Sequence, residues 1–396
     1  LLSSVFWVLG SLPLYLLAKA LVDENGGLVT AAFYLFLPYG VVASRSFLPE
    51  PLMTAALALA FWGLYQWYLV KSWQRALLAG VLSCGVIFVK PVIALPVLGA
   101  MAGLFLGGLG FKQAFRNAQA WCIFLITTLP YLAYYIYGTR IAGILATTLD
   151  GRFFPELLVS PWFYLRWELK INQVMGHVFL AAGLFGLLFF KSRAIRWFGV
   201  GLWVGYGLYG MLFNYQASTH DYYHIPLIPI VSLSLGALAS WAAGRLLQIK
   251  NHQKKMTWAL GGLLLLAVGV FVWRADYLMR SVDYRPQVKL YERLGNLIDR
   301  KKKVIALTED YGYRLSYWGW MTPIVWPSIG DLQYSRKRGH EPDEFSKMFS
   351  SLTSKMDYFI VTWFEELDLQ PELRDHLEQN YPVYAEGPGY RIYSLR

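Results

Sequence analysis

Charge is scarce in this sequence. Of 396 residues, only 15% are Asp, Glu, Lys or Arg, against about 25% in soluble domains. Cysteine is scarcer still. Cys84 and Cys122 are the two in the chain, and both sit inside apolar runs. That excludes a disulfide framework and a cysteine-based metal site, and leaves them as small packing residues. Also absent are a G-x-x-x-x-G-K-[ST] phosphate loop, a G-x-S-x-G elbow and an H-E-x-x-H pair. ATP-driven transport within this chain is therefore not expected. The first residues, "LLSSVFWVLG", lack an initiator Met, a charged n-region and a small-residue cleavage site, so they are not a signal peptide. They read as the interior of a spanning helix, and a further segment is expected upstream of Leu1.

What fills the chain is apolar. Hydrophobic residues make up 56%, aromatics 17%, and mean hydropathy is +0.38. Runs near the ~20 residues needed to cross a bilayer recur at 1–22, 27–43, 51–70, 75–89, 92–109, 118–137, 176–190, 196–213, 223–245 and 256–274. The expected fold is an α-helical polytopic membrane protein with about ten spans. The net charge of +11 invites nucleic acid as a partner. The excess sits in short loops between apolar runs, so membrane orientation explains it and no nucleic acid is expected.

Those loops alternate in character. "VKSWQRA", "FKQAFRN", "KSRAIRW" and "RLLQIKNHQKKM" are basic and are assigned to the cytoplasm by the positive-inside rule. "KALVDENGG" falls on the same side. "SRSFLPEP" at 44–51, the turn at Lys90-Pro91, the long segment 138–175 and "NYQASTHDYY" at 214–223 face outward, as does residue 1. After Trp273 the composition changes. Residues 275–396 carry charges throughout, with strands expected at "KVIALTED", "DYFIVTWF" and "GYRIYSL" and helices at "EPDEFSKMFSSL" and "QPELRDHLEQN". The domains are thus a multi-span unit, 1–274, and a small extracytoplasmic α/β unit, 275–396. There is no repeat.

The polar groups able to do chemistry collect on the outer side. Arg45 and Glu50 lie between two apolar runs, and Lys90 sits in "VIFVKPVIALPV" with hardly a loop around it. Cations there either anchor the interface by snorkelling or bind an anionic head group such as a lipid phosphate. In or near the long segment lie Arg140, Asp150, Arg152, Glu156, Arg166, Glu168, Lys170 and His177. Such a run reads as a solvated face, and "PWFYLRWELK" within it suits the membrane interface. In "HDYYHIPLIPIV" the tyrosines fit an aromatic belt, which does not account for His220, Asp221 and His224. Histidine holds an anion or exchanges a proton near its ordinary pKa of about 6.5. A metal on the His220/His224 pair lacks an identifiable third ligand, so no metal site is assigned. A need for Mg²⁺ or Mn²⁺ stays open.

An outer "SR…PE" turn, an "LLAG…KP" helix pair, a long external loop, the "HDYY…P..P" entry and a terminal α/β domain follow one another in this order. The chain resembles the membrane-embedded GT-C glycosyltransferases of the protein mannosyltransferase and aminoarabinose transferase type (glycosyltransferase family 39 and relatives), over residues 1–275. The resemblance implies inverting transfer of a sugar from a polyprenyl-phosphate donor to a protein, lipid or glycan acceptor on the outer face of a bacterial or archaeal cell membrane. It implies donor phosphate or sugar binding by Arg45, Lys90, His220, Tyr222 and Tyr223. Glu50, Asp221 and His224 would support the site or bind the acceptor, with Glu50 alternatively pairing with Arg45. The family's key acid lies in its first external loop, so the catalytic residue is expected upstream of Leu1. A transporter or lipid flippase would show repeats and midplane charges, and a mere anchor would not need so many spans. A polysaccharide polymerase or ligase is the remaining alternative.

Overall fold

The structure, a computed structural model, describes residues 1–46, 48–146, 151–248 and 253–396. The chain divides into two compact units, Leu1–Ser281 and Val282–Arg396. The division falls later than Trp273 because the helix Gln253–Arg280 continues through Arg274, Asp276 and Arg280, the last two joined as an i,i+4 ion pair.

In the first unit, helices occupy all ten apolar stretches, but not all as full spans. Six described helices are long and apolar enough to cross a membrane, or seven if a bent pair counts as one. The six are Leu2–Leu21, Glu50–Leu69, Pro91–Leu109, Ala118–Ile141, Leu227–Leu247 and the helix beginning at Gln253. Of the remaining runs, 196–213 lies in the continuous 20-residue helix Arg193–Leu212, and three are shortened or bent for local reasons. A residue before proline is pushed out of the helical region. Leu37, before Pro38, has ψ 121° and ends the helix Glu24–Phe36. Lys90, before Pro91, is extended at φ −152°, ψ 101° and ends the helix Trp73–Val89. The helices Pro161–Met175 and His177–Phe189 meet at 94°, across Gly176, whose φ of 84° favours glycine.

The bundle is held by close backbone approach and by polar ties. Gly99 and Gly103 on the helix Ala94–Leu104 face Gly201 and Gly205 on the helix Arg193–Leu212. A Cβ on Gly99 would lie 2.2 Å from the Gly201 carbonyl oxygen. Small residues permit such contact between spanning helices, where lipid gives little hydrophobic drive. Thr30 Oγ1 donates to the Ser232 carbonyl (3.0 Å), Trp203 Nε1 to Ser234 Oγ (3.1 Å) and Trp67 Nε1 to Gln119 Oε1 (2.9 Å). The helix Gln253–Arg280 buries only Ala275 and exposes Trp258, Leu263, Leu265 and Leu266. A long helix apolar all round is a membrane element, and this is an integral membrane protein. Cys84 and Cys122 are unpaired thiols.

The second unit is built on a five-stranded sheet. Its strands are β1 (Val304–Leu307), β2 (Ile324–Val325), β3 (Tyr358–Val361), β4 (Val383–Gly387) and β5 (Tyr390–Ser394). The order is β2-β1-β3-β5-β4. β1 runs parallel to β2 and β3, while β5 is antiparallel to β3 and β4. Alternate residues point to opposite faces of a strand. Val304 and Ala306 pack with Tyr291, Leu294 and Leu315, while Ile305 and Leu307 pack with Trp326, Phe349 and Leu377. The second core contains a buried polar relay. Trp326 Nε1 donates to Gln370 Oε1 (2.8 Å), and Gln370 Nε2 donates to Glu366 Oε1 (2.9 Å). Gln370→Ala leaves both partners short of a hydrogen bond and should cost about 2 kcal/mol. The check is amide hydrogen exchange, which should quicken across β1 and β3.

Candidate functional site

The helix breaks that shorten the spans also expose the site. Lys90 leaves the helical path just before Pro91, with its amide still closing the preceding helix onto Val86 (3.0 Å). Its ammonium forms an ion pair with Glu50, the first residue of the helix Glu50–Leu69. A carboxylate is favoured there by the positive end of the helix dipole. Glu50 is 1% exposed. Its Oε1 accepts a hydrogen bond from the Lys90 ammonium, while Oε2 is buried and has no hydrogen-bond partner among the described residues. The Lys90 ammonium also lies 4.9 Å from the Tyr223 ring centroid and 5.4 Å from that of Tyr222, within cation–π range.

The turn 220–224 closes over this pair. A short 3-10 helix, Asp221–His224, precedes the helix Leu227–Leu247. Asp221 Oδ1 accepts from the Tyr222 amide (2.7 Å), and the Asp221 carboxylate is hydrogen-bonded to Tyr39. His220 Nδ1 lies 2.7 Å from Thr219 Oγ1, and its ring meets the rings of Tyr222 at 5.3 Å and Tyr223 at 5.9 Å. Burial lowers the His220 pKa below 6.5, and Asp221 only partly opposes this. His220 is therefore a neutral hydrogen-bonding group near pH 7, and since Thr219 Oγ1 donates to the Tyr215 carbonyl (2.6 Å), its Nδ1 carries the proton.

His224 is placed differently. It is fully buried, with Nε2 2.9 Å from the Ala217 carbonyl and Nδ1 2.7 Å from the Tyr206 hydroxyl. A carbonyl only accepts, so Nε2 carries the proton and Nδ1 accepts from Tyr206. Tyr206 in turn accepts from Trp167 Nε1 (3.2 Å). Both ring nitrogens are thus engaged, which leaves none for a metal or an acceptor. Arg45 stands apart as well. It is exposed, and its Nη1 lies 2.8 Å from Met279 Sδ. Glu50 pairs with Lys90 and not with Arg45.

The wall that grips the long loop contains a residue that sequence reading missed. Buried Asn214 accepts from the Phe154 amide (3.1 Å) and donates to the Phe154 carbonyl (2.8 Å). This two-point grip ties the loop to the wall formed by 214–224. Lys170 contributes positive potential at His220, and Glu168 pairs with His177 across the bend. Asp150 lies outside the described residues. Among the described residues, no three His, Cys, Asp or Glu gather closely enough to hold a metal ion.

A buried carboxylate, a shielded ammonium and two tyrosine rings form a cluster whose chemistry suits an anionic group beside a polyol. Residues 1–137 match the family described as dolichyl-phosphate-mannose-protein mannosyltransferase. No curated protein matches the chain. Among solved structures, the chain is similar to ArnT from Cupriavidus metallidurans bound to undecaprenyl phosphate. The TM-score is 0.55 at 13% identity, over 99% of this chain and 83% of that one. The apo form gives 0.54 at 12% identity, over 99% and 82%. The Archaeoglobus fulgidus oligosaccharyltransferase in complex with Zn and sulfate gives 0.51 at 13% identity, over 99% of this chain and 60% of that one.

Proposed function

From the GT-C fold that this chain carries, we propose that it transfers a sugar from a polyprenyl-phosphate donor to an acceptor at the outer membrane face, with inversion at the anomeric carbon. The observation that carries the reading is the buried Glu50–Lys90 pair at a helix break, beneath Tyr222 and Tyr223. Ionisable groups at such depth are costly and mark function by default. The undecaprenyl phosphate in the Cupriavidus metallidurans structure supports a lipid-linked donor here.

In this reaction an acceptor hydroxyl or amine attacks the anomeric carbon. The bond from that carbon to the phosphate oxygen breaks, polyprenyl phosphate leaves with the electron pair, and the proton of the attacking group passes to a carboxylate base or to the departing phosphate. Lysine has three donors, and one of them goes to Glu50, so two are left for the departing phosphate. Arg45 adds charge from the exposed rim, while neutral His220, whose Nδ1–H goes to Thr219 Oγ1, offers Nε2 as an acceptor to a hydroxyl of the sugar or of the acceptor. Donors to the departing phosphate are worth most where water is excluded. The half-buried Tyr222 ring meets the sugar, and buried Tyr223 backs the Lys90 ammonium. The free Glu50 oxygen accepts from a donor or acceptor hydroxyl, while Asp221 and His224 fix the wall. The α/β unit is extracytoplasmic in this reading, and the membrane bacterial or archaeal.

The test is incubation of the protein in native membranes with defined polyprenyl-phosphate sugars, followed by mass analysis of products. His220→Ala should lower transfer about tenfold or more, as loss of a group that accepts from and positions the reacting hydroxyl does, at unchanged protein level. Near-normal transfer in both His220→Ala and Lys90→Ala would overturn the assignment.

A further inference from the structure

The stretch "TEDYGYRLSYWGW", Thr308 to Trp320, is unusual for a soluble surface. Tyr311, Tyr313, Tyr317 and Trp320 are each at least 70% exposed. Large rings clustered in water point to a ligand. The backbone beneath them is also strained. Asp310, Tyr311 and Trp320 have φ of 53°, 52° and 54°, and among the described residues they are the non-glycine positions with positive φ. Each such position costs on the order of 1 kcal/mol or more, and strain of this kind concentrates at ligand clamps.

Beside them runs a cleft of about 630 Å³, within the ordinary range for ligand sites. One wall is the helix Arg285–Leu297 and the residues just after it, which supply Glu292, Asn296 and Arg300. The other supplies Tyr317, Trp318 and Trp320. The walls are fastened at a glycine seam, where a Cβ on Gly295 would fall 2.2 Å from the Gly319 carbonyl oxygen. The relative position of rings and polar groups is therefore built into the backbone. Glu292, Asn296 and Arg300 make no ion pair or side-chain hydrogen bond among the described residues, so a carboxylate, an amide and a guanidinium stand free next to aromatic faces.

We propose that this cleft binds an oligosaccharide. A pyranose ring has apolar C–H faces that stack on Trp320 and Tyr317, and an equator of hydroxyls that both donate and accept. Glu292 accepts, Arg300 donates and Asn296 does both. A phosphate is disfavoured by the Glu292 carboxylate. A lipid surface would meet an outward face, whereas these rings and polar groups line a cleft. Binding stands on this geometry alone. That the bound glycan is the acceptor of transfer rests on the function proposed above.

The experiment uses the full chain in a detergent without a sugar head group, probed on an array of hexose and hexosamine oligosaccharides. The glycan retained best is then titrated by calorimetry. Trp320→Gly removes the ring and relieves the positive φ, so Tm should hold or rise while affinity falls at least tenfold. Glu292→Gln with Asn296→Ala should also weaken binding. The inference is overturned if no glycan is retained above the Trp320→Gly level, or if that variant binds as the parent does. Neither readout depends on transfer activity, so the two proposals fail separately.

Discussion

Lys90→Ala is expected to lower transfer at least 100-fold and to destabilise the protein as well. The first effect follows from removing a cation aimed at the leaving phosphate, where a single donor in a dry site is worth about 10²–10³ in rate. The second follows from Glu50, which is 1% exposed and would be left as a buried carboxylate with no counter-charge. Removing one partner of a buried pair costs about 3–5 kcal/mol. The two effects separate in a cycle. Glu50→Gln in the Lys90→Ala background removes the orphaned charge, and replacing a buried pair by neutral groups is often close to neutral for stability. The double variant should therefore regain most of the lost Tm and none of the transfer. Thermal unfolding in detergent and product formation per mole of protein in membranes are the two readouts. Transfer that returns together with Tm would reduce Lys90 to a structural residue.

Much of this site was legible in the sequence one residue at a time, and little of it in pairs. Lys90 stood out because a charge between apolar runs is expensive, and His220 and Asp221 because a belt of tyrosines does not need them. Pairing was another matter. Pairing with Arg45 is one of two roles the sequence leaves open for Glu50, whereas its ion-pair partner in the fold is Lys90, forty residues on. His220 and His224 look alike in a string of letters. Only the fold shows that one borders Tyr222 and Tyr223 while the other has both nitrogens engaged between Tyr206 and Ala217. Asn214 gave no signal, since a lone amide at the end of an apolar run is unremarked until its two backbone partners are seen.

The same division holds for the fold. Apolar runs located the helices because burial in lipid is a property of composition. Direction was not encoded in it. The 94° turn at Gly176 and the break at Leu37-Pro38 depend on single residues that hydropathy averages away. In the α/β unit, β1, β3 and β5 read clearly from β-branched and aromatic runs. The two-residue β2 and the half-exposed β4 were missed, because neither carries a buried apolar run. Their pairing is supplied by neighbours in the sheet.

The glycine contacts carry the second large expectation. Gly99 and Gly103, like Gly201 and Gly205, are four apart, the spacing that puts small residues on one helix face. A Cβ on Gly201 would lie 2.1 Å from the Gly99 carbonyl oxygen and 3.1 Å from Gly103 Cα. These neighbours are backbone, so no side chain can swing away. Gly201→Leu must push the helices Ala94–Leu104 and Arg193–Leu212 apart, at a cost of about 3 kcal/mol or more. Gly207 is the internal control. It lies on the same helix, and a Cβ there meets nothing within 4 Å, so Gly207→Leu should be neutral or gain up to about 1 kcal/mol of helix propensity. Thermal unfolding in detergent should show a large loss of Tm for the first variant and none for the second. Equal losses would mean that glycine matters here for helix flexibility and not for contact. Transfer should fall with Gly201→Leu even in the fraction that folds. The helix Ala94–Leu104 starts directly after the Pro91–Ile93 turn, so moving it moves Lys90 away from Glu50 and from the faces of Tyr222 and Tyr223.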